Sequence, residues 1–131
     1  MSTRATVHFR RNGTTRAIVY RHCDGYPDGL GDDLRAFLEE PSSDPRFDSP
    51  TFLAARFVVW QETRSPGTGI GVVLNDPSDI EFRYLVECDG PGIPQIMVQS
   101  CKERLAQFIA NTLRLHLGDE ANELLEFIKK G

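Results

Sequence analysis

The sequence predicts an α+β domain, with a mostly antiparallel sheet of about five strands and helices packed on one face. Two strand-like segments flank an Asn-Gly pair near the amino terminus, and three more lie between residues 70 and 98. Two helical patterns separate these groups and two follow, which gives the order ββααβββαα. Short connections favour antiparallel neighbours, and helices grouped between and after the strands are typical of α+β folds.

The first predicted element is a β-hairpin. Residues 5–9 alternate between apolar and polar side chains, which is the period of a half-buried strand. Asn12-Gly13 follows, and both residue types tolerate the positive φ of a two-residue turn. Such a turn would put Ala5, Val7, Phe9, Arg16, Ile18 and Tyr20 on the core face. The other face would carry Arg4, Thr6, His8, Arg10, Ala17, Val19 and Arg21, whereas a longer loop would reverse the second strand.

Two helices are predicted next. Residues 24–31 form a Gly/Pro-rich loop, after which leucine and phenylalanine recur at helical spacing until Pro41 ends the helix. Ser49-Pro50 is typical of an N-cap followed by a first-turn proline, and it predicts a second helix over residues 51–62.

The second half supplies three strands and two more helices. A short apolar strand is predicted over residues 70–74, the clearest alternation covers 80–88, and a third strand covers 93–98. Polar turns lie between them at 75–78 and 89–92. Residues 102–130 are predicted to be helical, with a break near Gly118.

Size and composition predict one domain over residues 1–131. Hydrophobic residues make up 40% of the chain, as in globular domains, and no apolar run is long enough to span a membrane. The net charge of −4 argues against a dedicated nucleic-acid binder. However, the first 22 residues contain five arginines and no acidic residue. The arginines are Arg4, Arg10, Arg11, Arg16 and Arg21.

The cysteines argue against a disulfide framework or a structural metal site. Three cysteines are present, without a CxxC pair, and the amino-terminal segment lacks the apolar core of a secretory signal. We therefore expect a cytoplasmic protein without a metal or cofactor.

The segment Tyr20–Gly29 concentrates the candidate chemistry. His22 and Asp24, two residues apart at the end of a strand, could bind a ligand, or act as a base and its orienting acid. With Asp28 as a third ligand they could instead hold a divalent metal ion. The alternative is structural, because aspartate before glycine commonly closes a turn.

The second candidate is the basic hairpin face, in which Arg10 and Arg21 would share one side of the sheet. Several cations without intervening acids suit a phosphate group, although acids elsewhere in the chain could also neutralise them. Gly67-x-Gly69-x-Gly71 is not a phosphate loop, because it precedes a strand instead of connecting a strand to a helix.

The string Tyr20-x-His22-x-Asp24-Gly25-Tyr26-Pro27, followed by Gly29, Gly31 and an amphipathic helix, resembles a motif of small uncharacterised bacterial and phage proteins. The segment 52–61 is similar to the same proteins, so the resemblance covers roughly residues 20–61. It implies a small intracellular protein without an assigned activity. The phage link suggests, by analogy alone, roles such as sequestering nucleotide signals.

These observations favour a non-enzymatic binding module for a small anionic ligand or a protein partner, acting as a homodimer. The loop 20–31 and the basic hairpin would form its site, and the candidate ligand-binding residues are His22, Asp24, Tyr26, Arg10 and Arg21. The alternative is a small metal-dependent hydrolase using His22 and Asp24. A third hypothesis is an adaptor that uses the surface of residues 102–130.

Overall fold

The computed structural model describes residues 3–40, 49–89, 92–102, 106–107 and 109–112. Within these ranges a single five-stranded sheet has the strand order β3-β2-β1-β4-β5. Its strands are β1 (Ala5–Arg11), β2 (Thr14–Arg21), β3 (Ile70–Val73), β4 (Phe82–Glu87) and β5 (Gln95–Ser100). Only β1 and β4 are parallel among the described pairs. The predicted α+β class and mostly antiparallel sheet are confirmed.

Both helices predicted between the strand groups are present. A short π-helical turn, Pro27–Gly31, leads directly into α1 (Asp32–Leu38), and α2 spans Pro50–Arg64. Pro50 occupies the first turn of α2, where its missing N–H costs no helical hydrogen bond. Residues 102, 106–107 and 109–112 are also helical. The helix predicted beyond Gly118 lies outside the described residues.

The core lies between α1, α2 and one face of the sheet. Phe57 of α2 packs against Phe9 of β1 and Phe37 of α1, with ring centroids 6.3 and 5.2 Å apart. Three of the five strands, together with α1 and α2, contribute fully or almost fully buried side chains to this core. They include Ala5, Val7, Phe9, Val19, Leu34, Leu53, Phe57, Tyr84 and Val86. In the described part of the chain, no helix is both long and apolar enough to cross a membrane.

The predicted facing of β2 is wrong, although the predicted turn is present. Asn12 and Gly13 have φ of 52° and 73°, and Arg11 pairs directly with Thr14. The pairing then shifts, since Arg10 is opposite Thr15 but Phe9 is opposite Ala17, which leaves Arg16 as an extra bulged residue. A one-residue insertion moves the rest of the strand to the opposite face. The helix face of β2 therefore carries Ala17, Val19 and Arg21.

The connection between β3 and β4 also differs from the expected tight turn between neighbours. These strands are consecutive in sequence but are separated in the sheet by β2 and β1. A parallel β1–β4 pair requires such a crossover connection. Residues 74–81 make it on the face opposite the helices, where Asp76 contacts Thr6 and His8. We call this segment the crossover segment.

Candidate functional site

The loop 20–31 is tied closely to the start of the sheet at Gly25. The N–H of Gly25 donates to the carbonyl of Thr3 at 2.9 Å, and the Tyr84 hydroxyl donates to the carbonyl of Gly25 at 2.6 Å. A Cβ atom at this position would lie 2.6 Å from the Cβ of Ala5, closer than real contacts allow. Glycine at position 25 therefore lets the loop pack directly against β1.

Asp24 forms a local turn. Its φ is 55°, a left-handed conformation that aspartate tolerates better than most residues, and its carbonyl accepts the N–H of Leu30 at 2.9 Å. Its carboxylate accepts the Tyr26 hydroxyl at 3.2 Å. This hydrogen bond, with the charge of Asp24, raises the pKa of the exposed Tyr26 hydroxyl. Asp24 and Tyr26 are thus both at the surface and bonded to each other.

His22 faces a different partner. Its Nδ1 lies 3.0 Å from the Tyr20 hydroxyl, and its backbone N–H donates to Gly69 at 3.2 Å, which extends the β2–β3 pairing. Across the described residues, no three His, Cys, Asp or Glu side chains are grouped so that they could hold a metal ion. His22, Asp24 and Asp28 therefore do not converge as the metal-dependent hydrolase requires.

Arg21 is on the helix side of the sheet, not on the predicted basic face. It is 3% exposed, and its Nη1 lies 2.6 Å from Asp33 and 3.2 Å from Gln61, while its Nε donates to the carbonyl of Cys23 at 2.8 Å. These partners belong to α1, α2 and the loop, so Arg21 joins those elements. A ligand outside the protein could not reach its guanidinium.

Arg10 lies on the opposite face, as predicted, but in a local network. Its Nη2 donates to the carbonyl of Gly13 at 2.8 Å, and its Nε lies 3.0 Å from Glu87. Arg4 likewise contacts Asp79 of the crossover segment. Arg10 and Arg21 therefore do not converge, and acids from other elements neutralise the basic face.

A cleft is present instead at the tip of the hairpin. It has a volume of about 560 Å³ and lies open between the β1–β2 turn and the amino end of α2. Among the described residues that line it, two carry a guanidinium group and none carries a carboxylate. These residues are Arg11, Asn12, Arg16, Ser49, Pro50 and Thr51. We call this the hairpin cleft.

The bulge and the start of α2 together position these groups. Arg16 is the bulged residue and is exposed, whereas a regular hairpin would have directed it as the sequence predicted, toward the core. Ser49 precedes α2 without making a side-chain capping hydrogen bond. The amino end of a helix carries a partial positive charge, which adds to that of the arginines.

Sequence reasoning missed most of this site. The arginine-rich first 22 residues and the Ser49-Pro50 helix start were both recognised, but nothing in the sequence placed them side by side. That proximity depends on how α2 packs across the sheet and on the bulge at Arg16. Comparison with known proteins gave no match to any family model, any curated protein or any solved structure.

Proposed function

We propose that the protein binds a small anionic ligand in the hairpin cleft, without a chemical reaction at that site. The observation that carries this proposal is the pairing of Arg11 and Arg16 with the amino end of α2 around one open cleft. Planar guanidinium groups match the oxygens of phosphate and carboxylate, and a helix amino terminus favours the same charge.

The size of the cleft supports a small ligand. Its volume of about 560 Å³ lies within the range of ordinary small-molecule sites. The positive lining also contrasts with the net charge of −4 on the whole chain, so an anion would be drawn to this end of the molecule.

This proposal places the ligand away from the loop 20–31, where the sequence predicted most of its binding residues. Arg21 supports the fold, and we infer that His22, Asp24 and Tyr26 shape the loop that joins β2 to α1 instead of contacting the anion. The hydrogen bonds from this loop to Thr3 and Tyr84 support that inference.

We further propose a cytoplasmic setting and a homodimer. In the described part of the chain, none of the three cysteines forms a disulfide bond, which suits a reducing compartment. The homodimer is supported by apolar side chains exposed on and beside β5, at one edge of the described sheet.

Calorimetric titration with inorganic pyrophosphate at low salt tests the anion site. We expect saturable binding of one pyrophosphate per chain, weakened about tenfold or more by Arg16→Ala. A hydrogen bond to a charged group contributes about 1.5–3 kcal/mol, and each 1.4 kcal/mol is tenfold in affinity. Arg11→Ala should have an effect of similar size.

The matched control is Arg35→Ala. Arg35 is an exposed arginine of α1 that contacts Asp32 and does not line the cleft. Its removal takes away the same charge, so binding should change little. If the wild-type protein does not bind pyrophosphate, or if Arg35→Ala weakens binding as much as Arg16→Ala does, the proposal is wrong.

A further inference from the structure

A second group of polar side chains lies on the face opposite the helices. His8 of β1 stands between a hydroxyl and a carboxylate, with Nδ1 3.0 Å from Thr15 Oγ1 and Nε2 2.7 Å from Asp76 Oδ1. A nucleophile within hydrogen-bond reach of a base that a third group orients is the recurring arrangement for covalent catalysis.

Asp76, at one end of the hydrogen-bonded series Thr15–His8–Asp76, is fixed by further contacts. Thr6 donates to Asp76 Oδ1 at 2.6 Å, and Arg83 contacts Oδ2 through Nε at 2.7 Å and Nη2 at 2.6 Å. These bonds outweigh burial and keep the pKa of Asp76 well below its usual range, so the group is an ionised acceptor. An acceptor at Nε2 places the proton of neutral His8 on that nitrogen, which leaves Nδ1 to accept the Thr15 hydroxyl.

Solvent exposure increases along this hydrogen-bonded series from Asp76 to Thr15, as catalysis requires. The side chain of Asp76 is 9% exposed and that of His8 13%, whereas Thr15 is exposed at the surface. A substrate from solvent could therefore reach the hydroxyl while the acid stays shielded.

The hairpin register creates this arrangement. The two-residue turn pairs Arg11 with Thr14 and Arg10 with Thr15, which places Thr15 on the face that carries Arg10 and His8. The bulge at Arg16 then makes Ile18, instead of Ala17, the partner of His8. Bulges are frequent beside active sites, where they redirect a side chain.

We propose that Thr15 is an acyl-accepting nucleophile, with His8 as its general base and Asp76 as a positioning residue, acting on small esters. This activity would be separate from anion binding in the hairpin cleft. It does not depend on a metal and uses residues other than His22 and Asp24.

The steps balance with water as the second reactant. Thr15 Oγ forms a bond to the ester carbonyl carbon as its proton passes to His8 Nδ1, and the carbonyl π pair moves onto oxygen. Collapse of this intermediate breaks the bond to the leaving oxygen, which takes the proton from His8. Water, deprotonated by His8, then displaces the acyl group as a carboxylic acid and restores Thr15.

Reaction of the full chain with p-nitrophenyl acetate tests the proposal. We expect a burst of p-nitrophenol and an acetyl group on Thr15, located by peptide mass spectrometry. Thr15→Ala should abolish this acetylation, and His8→Gln should slow it about 100-fold, the usual contribution of a general base. Thr14→Ala is the matched control, because Thr14 is the adjacent exposed threonine of β2 and should leave the burst unchanged.

The role of Asp76 has its own measurement. In Asp76→Asn, the amide can donate to His8 Nε2, which would move the imidazole proton to Nδ1 and prevent it from accepting the Thr15 hydroxyl. We expect ¹⁵N chemical shifts to report this change of tautomer together with slower acetylation of Thr15, in a protein whose circular dichroism shows it to be folded. If Asp76 were merely structural, the acetylation rate of Thr15 would stay at the wild-type value in the folded variant even though the tautomer changes.

Three results would overturn the proposal. One is acetylation of Thr15 no faster than that of Thr14, and another is acetylation confined to thiols and amines. The third is a Thr15 reaction that persists at the wild-type rate in His8→Gln, because the imidazole would then not be its base.

Discussion

At the scale of single residues, arginines five positions apart on β2 have opposite roles. Arg21 is buried and has acceptors from Asp33, Gln61 and Cys23, which compensate the loss of water around its charge. Arg16 is exposed and lines the hairpin cleft. Only the exposed arginine retains enough contact with solvent to bind an anion arriving from outside.

Gly25 tests the structural role of the loop 20–31. Replacing it with alanine would force a Cβ to within 2.6 Å of Ala5 Cβ, at the start of β1, and 2.8 Å of the carbonyl of Thr3, which precedes β1. We expect Gly25→Ala to lower the free energy of unfolding by about 1–3 kcal/mol, the usual cost of overpacking. Urea denaturation followed by circular dichroism measures the change.

Gly71→Ala is the matched control for this prediction. A Cβ at Gly71, on β3, would meet nothing within 4 Å, and alanine suits a strand at least as well as glycine does. Its stability should stay close to wild type. Equal midpoints for Gly25→Ala and wild type would show that the loop does not depend on close packing at Gly25.

At the scale of elements, Asp76 attaches the crossover segment to the strands beneath it. Burial alone would raise the pKa of Asp76, but hydrogen bonds from His8, Thr6 and Arg83 together hold it well below its usual range. The folded state therefore binds this proton more weakly than the unfolded chain does. The stability from Asp76 is complete above the unfolded pKa of about 3.9 and declines as the pH falls toward the folded value.

The prediction is a change in the pH dependence of stability. Asp76→Asn should unfold with about 2 kcal/mol less free energy than wild type at pH 7, because charged hydrogen bonds to Arg83 are weakened. The difference should shrink as the pH is lowered from 7 to 3, since the unfolded wild-type chain then binds a proton at Asp76 and is favoured, whereas the variant has no carboxylate there to protonate. Urea titrations at each pH measure this.

Asp28→Asn provides the comparison for this series. Asp28 is an exposed carboxylate in the π-helical turn, and its neutralisation should leave the pH dependence close to that of wild type. If the curves of Asp76→Asn and wild type run parallel from pH 7 to 3, the Asp76 carboxylate is not linked to folding.

The elements differ in how far the sequence could predict them. Helices α1 and α2 follow from local signals, namely apolar spacing and Ser49-Pro50, which act within a few residues. The facing of β2 could not be predicted, because Ala17 and Val19 on one face are no more apolar than Ile18 and Tyr20 on the other. The bulge at Arg16 that decides between them has no local signal in the sequence, and the crossover segment depends on strand order. The hairpin cleft needs the bulge to position Arg16, and the contact of His8 with Asp76 needs the crossover segment. The sequence could therefore predict neither the cleft nor the Thr15–His8–Asp76 group.

At the scale of the whole molecule, the two edge strands of the described sheet expose apolar side chains to solvent. β3 and β5 are the outermost described strands, and each exposes apolar side chains, with Val72 65% and Met97 51% exposed. Neither edge strand contains the charged residues or proline that usually protect an edge from pairing with another chain. β5 has six residues whereas β3 has only four, and a very short edge strand resists such pairing, so the edge at β5 is the one that best suits a second copy.

Sedimentation velocity tests this homodimer. We expect the wild-type protein to have a mass of about twice 14.7 kDa at micromolar concentration, with two β5 strands paired. Met97→Lys would place a charge at the centre of this interface, and its desolvation should shift the protein to the monomer. Val72→Lys is the matched control on the β3 edge and should remain dimeric. A wild-type monomer at every concentration would contradict the homodimer, and dissociation by Val72→Lys alone would place the interface at β3 instead.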